Sequence, residues 1–404
     1  MILSSSRQLL LAYLKDYIHG YPSSCEDDTD WDEVFQLAIS QSIEGIIYRQ
    51  CKDHLPENVK RRYLKQYLSS AVLSLEREKA VSEFIHLTEK KSIPVIFMKG
   101  AVFRDYHPIP AIRSMGDIDV VIHNQDKNEI DLILRAESGY ERFVDNHAVW
   151  TYRKNRIYIE VHNHMFYEDL ANDFDYIGYF DQIFEHMHHD KVFSISSDCL
   201  YVPDENYHFL YLMTHTAKHI INNGSGFRAY LDMVMFTRNN DHLDWEWIRE
   251  ELKKMNLLQF TETCFALCER WFDVKMPLPH KELDESFFEE ITEKAFNDGT
   301  FGLENKANEG AHSAKEIKRD DKGYWYTAIR LTLHLLFPPY RDIILAPWYS
   351  FVKGRPYLLP IAWVYRWFYC IIHKFRYSVG RLSEPFIKRK KIEERESYIK
   401  DWGL

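Results

Sequence analysis

Hydrophobic positions in the first ninety residues recur every three or four places, the spacing of amphipathic helices. The segments "SRQLLLAYLKDYI" (6–18) and "DWDEVFQLAISQSIEGIIYRQC" (30–51) carry it, and Asp30 and Asp32 stand where N-cap chemistry wants them. Residues 57–92 contain no glycine or proline and read as one long helix, or two with a short break. At "IPVIFMKG" (93–100) the period changes to a run apolar on both faces, which suits a strand in the middle of a sheet. "DIDVVIH" (117–123) reads as a second strand and "KNEIDLILRAES" (127–138) as a helix ended by Gly139. "NHAVWTYRKN" and "RIYIEVHNHMF" (146–166) read as two adjacent strands that turn near residues 154–156. From about Asn206 the helical period returns, through "ENYHFLYLMTHTAKHIIN", "GFRAYLDMVMFTRNN", "DWEWIREELKKM", "LQFTETCFALCERWF" and "DESFFEEITEKAF". A polar, glycine-containing stretch (298–323) precedes aromatic C-terminal helices. The expectation is an α+β protein with an N-terminal helical region (1–92), a small mixed-sheet core with helices on one side (93–200), and a C-terminal helical domain (201–404).

Composition changes this picture little and narrows the function. The chain has 404 residues, 46% hydrophobic and 28% charged, enough for two or three folded domains. A net charge of −10 argues against an extended nucleic-acid surface. The six cysteines are scattered; only Cys264 and Cys268 are close, and no second pair completes a zinc site. With no signal peptide in "MILSSSRQLLLAYLKDY", reduced thiols in a cytoplasmic protein are expected. "YLLPIAWVYRWFYCII" (357–372) is strongly apolar, but Pro360 and Arg366 interrupt it and it falls short of the roughly 20 residues a bilayer span needs. A buried helix is expected there, not an integral membrane segment. The basic "FIKRKK" that follows keeps surface attachment as the second reading. "EHMHHD" (185–190) reads as an exposed helix end rather than a metal site.

The anomaly lies in "MKGAVFRDYHPIPAIRSMGDIDVVIHN" (98–124), where an apolar strand carries Asp117 and Asp119. On a strand the two point to one face, about 6 to 7 Å apart, while Ile118, Val120 and Ile122 take the other. Ionised carboxylates so close repel each other unless a cation lies between them. Mg²⁺ takes a few carboxylates with water or phosphate, and a pair of such ions can bind both the attacking and leaving oxygens of phosphoryl transfer. In "RIYIEVH" the same alternation sets Glu160 on one face with Tyr158 and His162, a candidate third carboxylate. A lone D-x-D is common on surface strands, so its setting matters more. Gly100 lets backbone approach a phosphate at a helix N-terminus, and Lys99 and Arg113 are cations placed to meet the same anion.

These segments resemble the bacterial family of uncharacterised nucleotidyltransferases, within the polymerase-β-like nucleotidyltransferase superfamily. The pattern is K-G, then R-x-x-x-D-h-D, then h-E-h-H, carried by Lys99–Gly100, Arg113 to Asp119, and "IEVH". "FLYLMTHTAKHI" with "FRAYLDMVMF", and "LHLLFPPYRDII" with "YLLPIAWVYR", extend the likeness over most of residues 90–375. The resemblance implies that Asp117 and Asp119 bind Mg²⁺ or Mn²⁺, and that Glu160 is a third ligand or the base that activates an acceptor hydroxyl. One departure is Gly100–Ala101, where the superfamily usually has Gly-Gly or Gly-Ser; Lys99 stands in front of it.

Further along, His208, Tyr211, His215, Lys218 and His219 fall near one helix face. Three readings compete: a polar wall in which His215 and Lys218 meet the nucleotide or the acceptor, a transition metal held by His215 and His219, and histidines simply hydrogen-bonded between packed helices. Arg228 and Asp232, four apart, form an ion pair or help close the cleft. The function expected is metal-dependent transfer of an NMP from an NTP to an unidentified hydroxyl acceptor, with release of pyrophosphate. The competitors are a degenerate nucleotide-binding relative, an enzyme whose acceptor is a protein or tRNA, and a phosphohydrolase centred on His208, His215 and His219.

Overall fold

The structure is a computed structural model that describes residues 3–300 except 26–27, 146–147, 169, 171, 223 and 281, residues 324–373 except 345–346, and residues 396–404. Most of the polar stretch 298–323 and all of "FIKRKK" lie outside the described residues. Helices α1 (Ser5–His19), α2 (Trp31–Ser40), α3 (Glu44–Cys51) and α4 (Glu57–Lys90) open the chain. The side chains of Ser4 and Asp30 cap α1 and α2 by accepting from free backbone amides. Residues 30–51 were expected to be one helix and form two. The chain breaks at Gln41–Ile43, where Ser42 has φ +52°. The break has a structural use: the fully buried Gln41 amide donates to the carbonyl of Ala295 (2.7 Å) and accepts from the backbone amide of Phe227 (2.9 Å). The stretch from residue 57 does form a single helix of 34 residues, Glu57–Lys90.

Strand β1 (Val95–Met98), the short helix α5 (Gly100–Phe103), β2 (Ile118–Val121) and helix α6 (Lys127–Leu132) follow, and a π-helical turn (Ile133–Glu137) prolongs α6. Gly139, at φ +72°, ends this segment as expected. Strands β3 (Glu141–Asp145), β4 (Val149–Lys154), β5 (Ile157–His162), β6 (Met187–His188) and β7 (Leu200–Pro203) complete a mixed seven-stranded sheet in the order β3-β4-β5-β2-β1-β7-β6. A short helix α7 (Tyr176–Phe180) lies between β5 and β6. Three strands were not anticipated. β3 alternates poorly, β6 has two residues, and β7 is a four-residue "LYVP" whose pairing with β1 is parallel and long-range. The "EHMHHD" tract starts at the end of a 3-10 helix (Asp181–Glu185), as expected, and then runs into the sheet edge, where Met187 and His188 pair with Pro203 and Val202.

Alternation works on the central strands. Ile118, Val120, Ile122, Ile159 and Val161 turn to one face, where they pack with Val81, Phe84 and Ile85 of α4 and Ile130, Ile133 and Leu134. Helices were expected on that one side only, but both faces are covered. Ile96, Met98 and Val121 belong to a second core built with α8 (Glu205–Asn222), α9 (Phe227–Asn239), α10 (Trp245–Lys254), α11 (Leu258–Phe272) and α12 (Glu285–Asp298). The same core takes in α1 to α3, so the first helices and those after residue 205 bury their apolar faces together. The reason is visible in β1, which is buried at all four positions and needs apolar partners above and below. Residues 359–372 fall on a helix, Leu359–His373, after a 3-10 turn (Pro356–Leu358). It is not the buried helix expected, since Ile361, Val364, Phe368 and Ile372 are exposed. Among the described residues no helix is long and apolar enough to cross a membrane.

Phe97 is fully buried in β1 and meets Phe84 of α4 edge to face, with ring centroids 6.5 Å apart. Phe97→Ala should cost about 3–5 kcal/mol, read as a lower urea midpoint and melting temperature.

Candidate active site

The site begins with register. β2 and β5 run parallel with Asp119 opposite Glu160, and β1 is antiparallel to β2 with Met98 opposite Asp119. Both carboxylates therefore stand on the face away from the α4 core. Asp117 does not lie within the strand as expected but in the turn just before it, because β2 starts at Ile118. Arg77 of α4 holds that turn, donating to the carbonyls of Met115 (2.6 Å) and Gly116 (2.9 Å).

Asp119 is 2% exposed and accepts from Lys99 Nζ at 2.6 Å. His162 Nε2 lies 3.0 Å from the same Oδ1 and 3.6 Å from Glu160 Oε2, and the Thr151 hydroxyl donates to Glu160 at 3.3 Å. Asp119, Glu160 and His162 each offer one ligand atom, all within 4.8 Å of one another. The Nδ1 atom of His162 is buried without a hydrogen-bond partner.

Electrostatics divides the two aspartates. Burial would raise Asp119, but the Lys99 ammonium and the His162 hydrogen bond override it and hold the carboxyl at about 2. Burial, then the negative charges of Asp119 and Glu160, push Asp117 up to about 7. Burial alone would lower Lys99; Asp119 outweighs it and holds the ammonium well above its ordinary value. The turn that carries this lysine is strained: Lys99 sits at φ +54°, a region that favours glycine, and its amide donates to His208 Nε2 at 3.4 Å.

A cavity of about 250 Å³ opens over these groups. Asp117, Asp119, Glu160 and Lys99 line one part of it, and His215, Lys218, His219 and Arg228 another. His219 is lowered to about 4 by burial, then by Lys218 and Lys99, and His215 falls well below its usual value, again chiefly by burial. Both imidazoles are neutral at pH 7. Their rings meet edge to face at 4.5 Å. Lys218 pairs with Glu168 at 3.0 Å, and Arg228 donates to the Ser114 carbonyl at 3.2 Å.

Several residues stand elsewhere than the sequence suggested. Arg113 lines the cavity, but its guanidinium grips Asp232 through Nε (3.1 Å) and a second, shorter bond from Nη2. Asp232 also meets His107 Nε2 at 3.0 Å, and His107 Nδ1 meets the Tyr17 hydroxyl at 3.1 Å. Asp232, expected to pair with Arg228, is thus also bound into a buried chain from α1 to α9, and its charge still acts on Arg228. Arg113 also explains Gly100: a Cβ there would lie 2.8 Å from Arg113 Nη1. His208 is buried against Phe103, with ring centroids at 4.5 Å, apart from His215 and His219. A centre made of all three histidines therefore has no support.

Residues 27–273 match the model of a family described as uncharacterised nucleotidyltransferase. The chain belongs to this family. The match spans more than half of the chain; it takes in most of the N-terminal helices and ends before the C-terminal aromatic segments. No curated protein and no solved structure matches the chain. His162 was noted in the sequence only as a neighbour of Glu160; the alternation that placed Glu160 places it too. Arg77 carries no local signal because it reaches the site from α4, and His107, although in the 98–124 segment, has a partner on distant α9, Asp232.

The raised Asp117 gives a pH dependence with a definite sign. Its folded-state value, about 7, lies above the ordinary 3.8, so the native chain binds the proton more tightly. That stability is complete below about 3.8 and is lost as pH rises through 7. In chelator, the wild-type melting temperature should fall between pH 6 and pH 8 relative to Asp117→Asn, which lacks the titration.

Proposed function

We propose that the chain is a metal-dependent nucleotidyltransferase of the polymerase-β-like superfamily, which transfers an NMP from an NTP to a hydroxyl acceptor and releases pyrophosphate. The observation that carries this reading is the pairing of Asp119 with Glu160 across adjacent parallel strands, beneath a cavity that Asp117 also lines. The donor set fits a hard divalent ion: three carboxylates, one pushed up by burial and by its neighbours' charge, with an imidazole beside them. When bound, Mg²⁺ or Mn²⁺ would neutralise these carboxylates and the developing charge on the phosphates.

The chain's own residues have separable tasks in this reading. Lys99 neutralises Asp119; a metal held by the carboxylates would take over that task and leave the ammonium to meet the triphosphate. Gly100 keeps the backbone of the strained turn open to that anion. His215 and Lys218, with Arg228, form the wall that receives the rest of the nucleotide. Arg113 serves by fixing the turn through Asp232 rather than by reaching a phosphate itself. Glu160 orients or deprotonates the acceptor hydroxyl. The acceptor is a small molecule, a protein side chain or a tRNA end, and the active site is expected to work in the cytoplasm. The degenerate-binder reading keeps one point in its favour, the Gly100–Ala101 turn without a serine.

Incubation with each α-labelled NTP, Mg²⁺ or Mn²⁺ and a cell extract should label one acceptor. Glu160→Gln should cut the rate by a factor of at least roughly 10². No labelling with any nucleotide or metal would leave the chain a binder.

A further inference from the structure

Residues 324–373 form a helical hairpin whose small core, Ile343, Tyr349, Val352 and Ala362, is separate from the two cores of the body. Its halves are tied by polar atoms of the second helix, Leu359–His373. Trp363 Nε1 donates to the Pro338 carbonyl (2.9 Å), Arg366 Nη1 to that of Leu335 (2.6 Å), and Trp367 Nε1 to that of Leu336 (2.8 Å). These contacts fix which face of the helix looks inward. The other face is an unbroken apolar stripe of Ile361, Val364, Tyr365, Phe368, Tyr369 and Ile372, at intervals of three and four residues. Its aliphatic and phenylalanine side chains are exposed, Ile361 by 59%, Phe368 by 63% and Ile372 by 69%. The first helix, Tyr324–Leu336, carries a second stripe, Trp325, Ile329 and Leu333, continued by Phe337 just beyond its end; Trp325 is 68% exposed. Single exposed apolar residues are ordinary; two stripes along adjacent helices mark a surface that binds something.

Charge selects the occupant. The whole chain has a net charge of −10, yet residues 324–373 hold five Lys or Arg and one acidic residue, Asp342. Arg341, Lys353 and Arg355 are exposed in the segment that joins the two helices. Residues 374–391 add seven Lys or Arg and one Glu to the sequence, so that segment would bring like charge onto the patch. Residues 301–323 contain only Phe301, Leu303 and Ile317 as large apolar side chains, too few to cover it. A second copy would set Arg341, Lys353 and Arg355 against their own kind. Nucleic acid gains nothing from Ile329, Leu333, Ile361, Val364 and Ile372, which neither stack on bases nor hydrogen-bond to them. An anionic bilayer surface satisfies both features: Trp, Tyr and aliphatic side chains enter the interface while arginine and lysine meet the headgroups.

We propose that the hairpin formed by residues 324–373 docks the protein on the surface of an anionic membrane, lying in the interface without spanning it. The test is sedimentation of the full chain with vesicles of phosphatidylcholine alone and of phosphatidylcholine mixed with phosphatidylglycerol. Binding to the anionic vesicles should be at least about tenfold tighter and should weaken as salt is raised. The double variant Phe368→Ser/Ile372→Ser should keep the wild-type circular dichroism and melting temperature, since both side chains are exposed, and lose at least about tenfold in vesicle binding. The proposal is overturned by a wild-type chain that ignores anionic vesicles, or by a variant that binds them equally. It is also overturned by a concentration-dependent dimer that the variant abolishes, or by retention of RNA without vesicle binding.

Discussion

A buried carboxylate must be answered by positive charge, and most of the site's architecture follows from that need at Asp119. Its place is set by strand pairing, between Met98 on one side and Glu160 on the other, in a sheet covered by apolar cores above and below. An isolated charge there would be expensive. Lys99 supplies the counter-charge at 2.6 Å from a backbone conformation unusual for lysine, and His162 supplies a hydrogen bond. Burial raises Asp117, and Asp119 and Glu160 add negative charge that one lysine does not balance, which is why Asp117 holds its proton up to about pH 7. That unbalanced charge is what the proposed divalent ion would neutralise.

A second buried charge group maintains that geometry from outside. Asp232 on α9 holds Arg113 by two bonds and His107 by a third, and Tyr17 on α1 completes the chain. Arg113 in turn occupies the space beside Gly100 that any side chain would need. The helices before residue 55 and those after residue 205 thus meet around the segment that joins β1 to β2. A shift of those helices would be felt at the Lys99 turn. Removing Asp232 would leave a guanidinium buried without its partner, the costly way to break such a pair.

Much of this was legible in the sequence because alternation on a strand is a strong rule. It put Asp119 and Glu160 on one face and Ile118, Val120, Ile159 and Val161 on the other, as the sheet has them. What failed to show was long-range. β7 gave too short a signal for its parallel pairing with β1 to be foreseen. Arg113, read as a phosphate ligand from its position near the D-x-D, is claimed by Asp232 more than a hundred residues away. The break at Gln41–Ile43 has no glycine or proline to announce it; Gln41 earns its place through contacts with α9 and α12 that local pattern cannot show.

Direct metal binding tests the central claim most closely. Mn²⁺ titrated into the full chain at pH 8 can be followed by the loss of the free-ion electron paramagnetic resonance signal. The account predicts saturable binding that Glu160→Gln weakens strongly and Asp119→Asn abolishes, with both variants folded by circular dichroism. Undiminished Mn²⁺ binding in folded Asp119→Asn would contradict it.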